Sequence, residues 1–414
     1  MPDNVCKFDA PDVAQVQTFQ VTANDVATTY RVTMNGKTVS AAGNAGGANS
    51  TASDLKTALA ASTIAEFKEV TWTVSTSTIT GTAATAGVPF TFTVSVSGGA
   101  GTLSAITTVT TSKGKHHADD PANWSLGAVP VAGDTVYLQN SSTDLKYGLT
   151  ALAAVTPADV YIDASYTGGV GLPDVNASGG YREYRQKFWQ INGVTGACYV
   201  GKGAGSGSGR LKLDFRSAAV TINVELTGTP SDQNQKALTV IGSHANNVLE
   251  VNKGSVALAP QAGDTANFPT VRVGSIKSVS TDVDLYVGRG CSAVTTLSQN
   301  GGNVVAEVAV GTLTKIAGDF TILGAATMGT VTNDGGNYYW QSSGTMTTGT
   351  FRGDTSKLDC SRDNSTRAAT TLTVREGATL NDPMKTVSSL AFATDMKSLA
   401  KSNIGAAPFT VTRS

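Results

Sequence analysis

PANWSLGAVPVAGDTVYL, residues Pro121 to Leu138, is the stretch on which the reading of the fold turns. Trp124 is the first large aromatic after a polar, Thr-rich run. Gly127 and Pro130 then force the chain round. Gly133-Asp134 adds a second tight turn, because glycine accepts backbone angles closed to other residues and aspartate bonds its own backbone. Thr135-Val136-Tyr137-Leu138 follows as a short strand. An aromatic lid, two turns and a strand suit the opening of a stack of short strands, with Trp124 covering the open end of its core.

Downstream, short β-branched runs alternate with Gly, Asn and Asp. Val160 to Asp163, Cys198 to Gly201, Leu211 to Phe215 and Val220 to Val224 read as strands. Three later blocks superimpose: Leu238 to Gly242 leads to Val248 to Val256, Leu285 to Gly288 leads to Val294 to Val304, and Phe320 to Gly324 leads to Val331 to Tyr338. This weak, unevenly spaced recurrence marks a solenoid, whose coils bury little alone and share a continuous core when stacked. We therefore expect a mainly β chain in which residues 121–390 form a right-handed parallel β-helix. Val, Ile, Leu and Phe point inward, and Thr, Ser and Asn outward. An antiparallel β-sandwich is the alternative, and hairpins across Asn300-Gly301 or Asp334-Gly335 would mark it.

Residues Asp159 to Gly209 depart from the pattern. Among their glycine runs lies Tyr181-Arg182-Glu183-Tyr184-Arg185-Gln186-Lys187-Phe188-Trp189, the most aromatic and basic segment of the chain. Tyr, Trp and Arg dominate interface hot spots. Tyr181, Arg182, Tyr184, Arg185, Phe188 and Trp189 are thus the candidate contacts for a partner or glycan, with packing on the first coils as the competing use. Residues 391–414 read as a C-terminal cap or tail, with a short helix from Asp395 to Lys401 and an extended run from Pro408 to Val411.

Upstream, residues 1–11 read as an N-terminal arm and 12–112 as a small α+β docking module. Tyr30 to Met34 alternates as a half-buried strand, and Asn35-Gly36 is a strong hairpin signal. Thr51 with Asp54 resembles a capping box ahead of an apolar helical face at Leu55, Ala58 and Leu59. Val70, Trp72 and Val74 alternate, as do Phe90, Phe92, Val94 and Val96, so Trp72 reads as core. Residues 113–120 read as a linker. His116, His117, Asp119 and Asp120 are ligand types, but adjacent residues on an extended segment face opposite ways. They read as a solvated junction, with an aspartate capping the turn before Pro121.

Composition narrows the function. Formal net charge is -1 and 15% of residues are charged, which leaves no electrostatic case for nucleic acid or an anionic membrane. No run approaches the roughly 18 apolar residues of a membrane span. Cys6, Cys198, Cys291 and Cys360 lack metal-ligand spacing and read as isolated buried residues, a disulfide between two of them being left open. Met1 to Val5 shows neither the basic nor the apolar part of a signal peptide, so folding in a cytoplasm is expected. For glycoside chemistry the candidates are Asp282 with Asp284, Asp354 with Asp359, and Asp264. No third group accompanies them and His244 stands alone, so no enzyme, cofactor or metal is expected.

Two regions resemble virion structural proteins of tailed bacteriophages and prophages. One comprises the Tyr30 to Gly36 hairpin, the Asp54-Leu55 helix start and Gly87-Val88-Pro89-Phe90. The other, Asn123-Trp124 through Pro130 to Val136, is similar to the opening segment of β-helical phage and bacterial surface proteins. The resemblance implies a homo-oligomeric protein assembled in the host cytoplasm and displayed on the virion surface, on the head as decoration or on the tail. It would contact major capsid or tail proteins and a host surface glycan. A polysaccharide-cleaving tailspike and a secreted bacterial adhesin are the alternatives.

Overall fold

In the computed structural model, which describes residues 2–228, 236–274, 282–388, 391–404 and 410–413, the chain is mainly β and its two longest sheets are parallel. One sheet runs from Asp3–Cys6 through Thr135–Leu138, Asp159–Asp163, Cys198–Lys202 and Thr221–Val224 to Arg367–Arg375, Ala391–Thr394 and Thr410–Arg413. The other runs from Trp189–Gln190 through Leu211–Asp214 and Leu238–Ile241 to Thr379–Asp382 and Asn403–Ile404. From Leu211 to Asp382 the chain visits the two sheets in turn, and each strand pairs in parallel with its equivalent one coil on. The superimposed blocks fall in register: Leu238–Ile241, Val283–Val287 and Asp319–Gly324 lie in one sheet, Val248–Val251, Val294–Gln299 and Met328–Asn333 in the other.

Two of the three Asn-Gly dipeptides, Asn35-Gly36 and Asn300-Gly301, part company here. Asn35 (φ 49°) and Gly36 (φ 75°) close a true antiparallel hairpin, with Met34 opposite Lys37. At Asn300-Gly301 the left-handed residue is Gly302 (φ 69°), and the chain turns a corner instead. Val294–Gln299 pairs with Val310–Lys315, whereas Asn303–Ala306 joins the other sheet. Met328–Asn333 and Gly336–Ser342 diverge across Asp334-Gly335 in the same way. The antiparallel alternative for this body is therefore excluded.

Parallel register stacks like on like. One inward file reads Val136, Val160, Cys198, Ile222, Leu249, Val271, Leu297, Leu313 and Val331, all fully buried. Each such side chain contributes about 1.5–3 kcal/mol on burial. No coil holds enough of them to stand alone, so the stack is the folding unit. Outward positions carry Thr296, Thr312, Thr330, Thr348 and Thr371, also in register.

A neighbouring inward file is not uniformly apolar. It runs from Val251 and Val273 to Gln299, Lys315 and Asn333 before Phe351 and Val374. All three polar residues are fully buried. Each bonds into the turns beside it: Gln299 Nε2 donates to Gly302 O (3.1 Å) and Asp319 O (2.9 Å), Lys315 Nζ to Asn333 Oδ1 (3.0 Å) and Gly335 O, and Asn333 Nδ2 to Gly336 O (3.3 Å).

Residues 16–110 form a second core. Val70–Ser75, Thr78–Ala83, Val16–Ala23 and Thr102–Leu103 make one antiparallel sheet, and Lys37–Ala42, Thr29–Met34 and Thr93–Ser97 another. Leu55 and Leu59 of the helix Ala48–Ala60 pack with Phe19, Val32, Phe67, Trp72, Phe90 and Phe92. The expected capping box is absent. The helix begins four residues earlier, on Gly47 (φ 92°), with no side-chain cap. Thr51 is instead buried inside it, accepting from Asn44 N at 2.7 Å.

Both ends of the chain and the segment 113–120 are tied into these cores. The arm at residues 1–11 contains Asp3–Cys6, which pairs in parallel with Thr135–Leu138, so the chain starts the body before making residues 16–110. The tail likewise continues the stack: Ala391–Thr394 pairs with Arg367–Arg375, and Thr410–Arg413 with Ala391–Thr394. The short helix is Met396–Lys401, capped by the Asp395 carboxylate on Ser398 N (2.7 Å). Of the extended run, Pro408 and Phe409 lie outside the described residues, as does the boundary at residue 390. Finally, His117 is not solvated. It is 2% exposed and hydrogen-bonded to Gly87 O (2.9 Å) and Asp119 Oδ1 (3.1 Å), while His116 turns away to Asp144 O (2.7 Å). Asp120 caps the turn Pro121–Asn123 by accepting from Ala122 N at 3.0 Å.

Candidate functional site

The aromatic and basic segment bridges the two cores. Arg185 is its centre, with a side chain only 7% exposed. Its Nε donates to Pro89 O (2.8 Å), its Nη1 to both Glu183 oxygens (3.2 and 3.1 Å), and its Nη2 to Glu69. The guanidinium also lies over the Tyr184 ring, 4.7 Å from its centroid. Tyr181 donates its hydroxyl to Glu69, and Arg182 O accepts from Asn35 Nδ2 at 3.0 Å. Burial works against the Arg185 charge, but Tyr184, Glu69 and Glu183 outweigh it and hold the guanidinium above its ordinary value.

The six expected contact residues are thus mostly spent inside the molecule. Tyr181, Phe188 and Trp189 are buried, Tyr184 and Arg185 half-buried, and only Arg182 is exposed. Trp189 belongs to the core of the body, stacked in register with Leu213. Tyr181, Arg182 and Arg185 meet residues 35–90 of their own chain, whereas Phe188 lies under Lys212 and Trp189 packs on Leu213 in the body. Sequence alone shows the composition of a hot spot without showing which surface it faces.

Next to this clamp the surface opens into a cleft of about 590 Å³. It arises from a gap in the side chains. Leu145, Val170 and Leu211 form successive parallel bridges, and Leu211 pairs with Leu238. On either side of that inward file the register continues two rows, Asp144, Gly169, Arg210 and the buried Ala237, and Lys146, Gly171, Lys212 and the buried Thr239. At Gly169 and Gly171 both rows lack a side chain, and the surface dips. Gly171 holds φ 95°, and a Cβ there would come within 2.3 Å of Lys187 O. No other residue fits.

Leu172, itself buried, lines the dip, whereas the Val170 and Leu211 side chains belong to the core beneath it. The rim is charged. Lys146 pairs with Asp144 (2.9 Å), Asp174 accepts from both Lys187 (2.7 Å) and Lys212 (3.4 Å), and Lys236 pairs with Asp284. Burial would raise the Asp144 carboxyl, but the Gly169 amide and Lys146 together hold it below the usual range. For Asp174 burial is likewise outweighed, by Lys187 and Lys212. Burial pushes Lys212 down, with Asp174 opposing.

A second outward feature is a tyrosine ladder. Tyr137, Tyr161 and Tyr199 stack at 4.9 and 4.8 Å, and Lys202 Nζ caps the Tyr199 ring at 4.0 Å. Their ring faces are consumed by one another, so only edges meet solvent.

Each of the carboxylates considered for glycoside chemistry has a local partner. Asp282 faces Lys253 (3.5 Å), Asp284 faces Lys236, Asp354 faces Lys397 and Lys401 (2.8 Å each), Asp359 faces Lys357 (2.7 Å), and Asp264 accepts from Gln261 N (3.0 Å). His244 accepts from Asn246 N at 3.1 Å. Among the described residues no three His, Cys, Asp or Glu side chains gather as a metal site, and the four cysteines are buried and unbridged. No helix among them is long and apolar enough to cross a membrane. No protein-family model, curated protein or solved structure matches the chain.

Proposed function

We propose that this is a non-enzymatic structural protein of a tailed-phage particle, displayed on the head or tail. In this reading residues 121–390 are a right-handed parallel β-helix, and residues 12–112 are an α+β module that docks to major capsid or tail proteins. The observation that carries it is the Arg185 clamp. A charged, largely buried network joins the module to the stack, so load applied to one is passed to the other without a flexible hinge. A column built from parallel coils suits a projection whose work is shape and contact. The phage likeness of the Tyr30 to Gly36 and Asn123 to Val136 segments supports the setting. Identical copies would associate about a symmetry axis of the particle.

Quantitative mass spectrometry of purified particles, with antibody-labelled electron microscopy, tests the reading. A fixed, symmetric copy number and label on the particle surface are expected. Absence from particles would overturn it. Release of new reducing ends or unsaturated sugars from capsular polysaccharide would favour the tailspike instead.

A further inference from the structure

We infer that the grid of threonines on the outer face of the longest sheet, between Thr296 and Thr373, binds a crystalline water lattice, the face of an ice crystal. The inference stands on this grid alone and does not require the virion reading.

Parallel register makes the grid. Thr296-Leu297-Ser298 lies beside Thr312-Leu313-Thr314, followed by Thr330-Val331-Thr332, Thr348-Gly349-Thr350 and Thr371-Leu372-Thr373. The middle residue of each triplet is buried, so its two neighbours face outward. Nine of these ten outward positions are threonine, and Ser298 is the tenth. All ten are exposed or half-buried, and their hydroxyls make no hydrogen bond to another described residue. Strand formation does not demand this uniformity. On the preceding coils the same two columns hold Thr221 with Asn223, Val248 with Glu250 and Thr270 with Arg272. On the following coil they hold Ala391 with Ala393.

The ligand class follows from spacing and chemistry together. The two columns stand about 6.6 Å apart along each strand, and successive coils about 4.8 Å apart. Hydroxyl and methyl groups therefore recur on a two-dimensional net that extends over four coil steps, about 19 Å. A ligand that reads positions one by one gains nothing from ten nearly identical sites, whereas a periodic ligand gains at each. An ionic mineral calls for charged side chains and a crystalline polysaccharide for aromatic rings. The grid contains neither. Water hydrogen-bonded to these hydroxyls and confined between the methyls takes up the spacing of the net. The prism face of ice repeats its oxygen rows at distances close to both.

The test cools the full chain with a single ice crystal and records crystal shape and the gap between melting and freezing points. A second measurement follows partition of the chain into a slowly grown ice mass. The parent should facet the crystal, open the gap and enter the ice. Thr330→Lys with Thr348→Lys should reduce the gap and the partition several-fold at an unchanged melting temperature of the protein. Thr312→Lys with Thr332→Lys, on two other strand positions, should do the same. Thr71→Lys, on an exposed strand position outside the grid, should leave both readings as in the parent. A parent that neither facets ice nor enters it at submillimolar concentration would overturn the inference. So would grid variants equal to the parent, or a parent that sediments as an oligomer which either pair of lysines dissociates, since a second copy would then cover the face. None of the ice readings bears on display on a particle.

Discussion

Arg185 Nε donates to the carbonyl of Pro89, 96 residues earlier in the chain, at 2.8 Å and so joins the two cores. The same guanidinium satisfies Glu69 and Glu183, the latter with a side chain only 1% exposed.

Removing Arg185 therefore leaves carboxylates without their counter-charge in a buried joint. Such losses typically cost about 3–5 kcal/mol. Arg185→Met should free residues 16–110 to be cleaved as a unit in limited proteolysis, while the parallel body stays resistant. Adding Glu69→Gln and Glu183→Gln should restore part of the resistance. Equal resistance of Arg185→Met and the parent chain would mean the clamp carries no load.

Lys315 makes stability depend on pH in a defined direction. Burial lowers its amine from 10.5 to about 7, with Asp319 pulling the other way. Between those values the unfolded chain binds more protons than the folded one, so stability rises with pH across the window from about 7 to 10.5 and is lower and flat below it. The amplitude is at most on the order of 5 kcal/mol. Urea midpoints taken at the two ends of the window should differ for the parent chain and coincide for Lys315→Met. A parent chain with no slope beyond that of the variant would refute the assignment.

The thiols should be silent in the native state. Burial pushes Cys6 and Cys291 up to about 12, and Cys198 and Cys360 higher still. A thiol-reactive chromophore should report no native thiol and all four after denaturation. Labelling of any one faster than global unfolding would contradict the packing.

The opening strand is structural. Phe8 stacks on Tyr166 at 5.4 Å, and Cys6 lies opposite Leu138 in the sheet. Deleting residues 2–11 uncovers Val136, Leu138 and Tyr166 at the end of the body. Losing the burial of Cys6 and Phe8 alone is worth roughly 3–5 kcal/mol. A lowered unfolding midpoint is expected from thermal melts, whereas a dispensable arm would leave it unmoved.

Local residue pattern determined the elements. Tyr30 to Met34 is a half-buried strand because its side chains alternate, Trp72 is core because Val70 and Val74 flank it, and Asn35-Gly36 closes a hairpin because both residues accept left-handed angles. Recurrence of strand, glycine and Asn-Gly pointed to stacked coils, and the three blocks do lie one above another. Tertiary structure alone decided what faces what. Asn300-Gly301 carries the same signal as Asn35-Gly36 yet turns a corner, because the buried Gln299 amide ties down Gly301 O and Gly302 O. Tyr181, Arg185 and Trp189 have the composition of a binding patch, but residues 69–89 fold back on the first two and the parallel body buries the third. Conversely, Lys146, Gly171 and Lys212 are unremarkable in a linear reading and become a row only through parallel register. Composition is a property of each residue, whereas a site depends on distances that no contiguous segment contains.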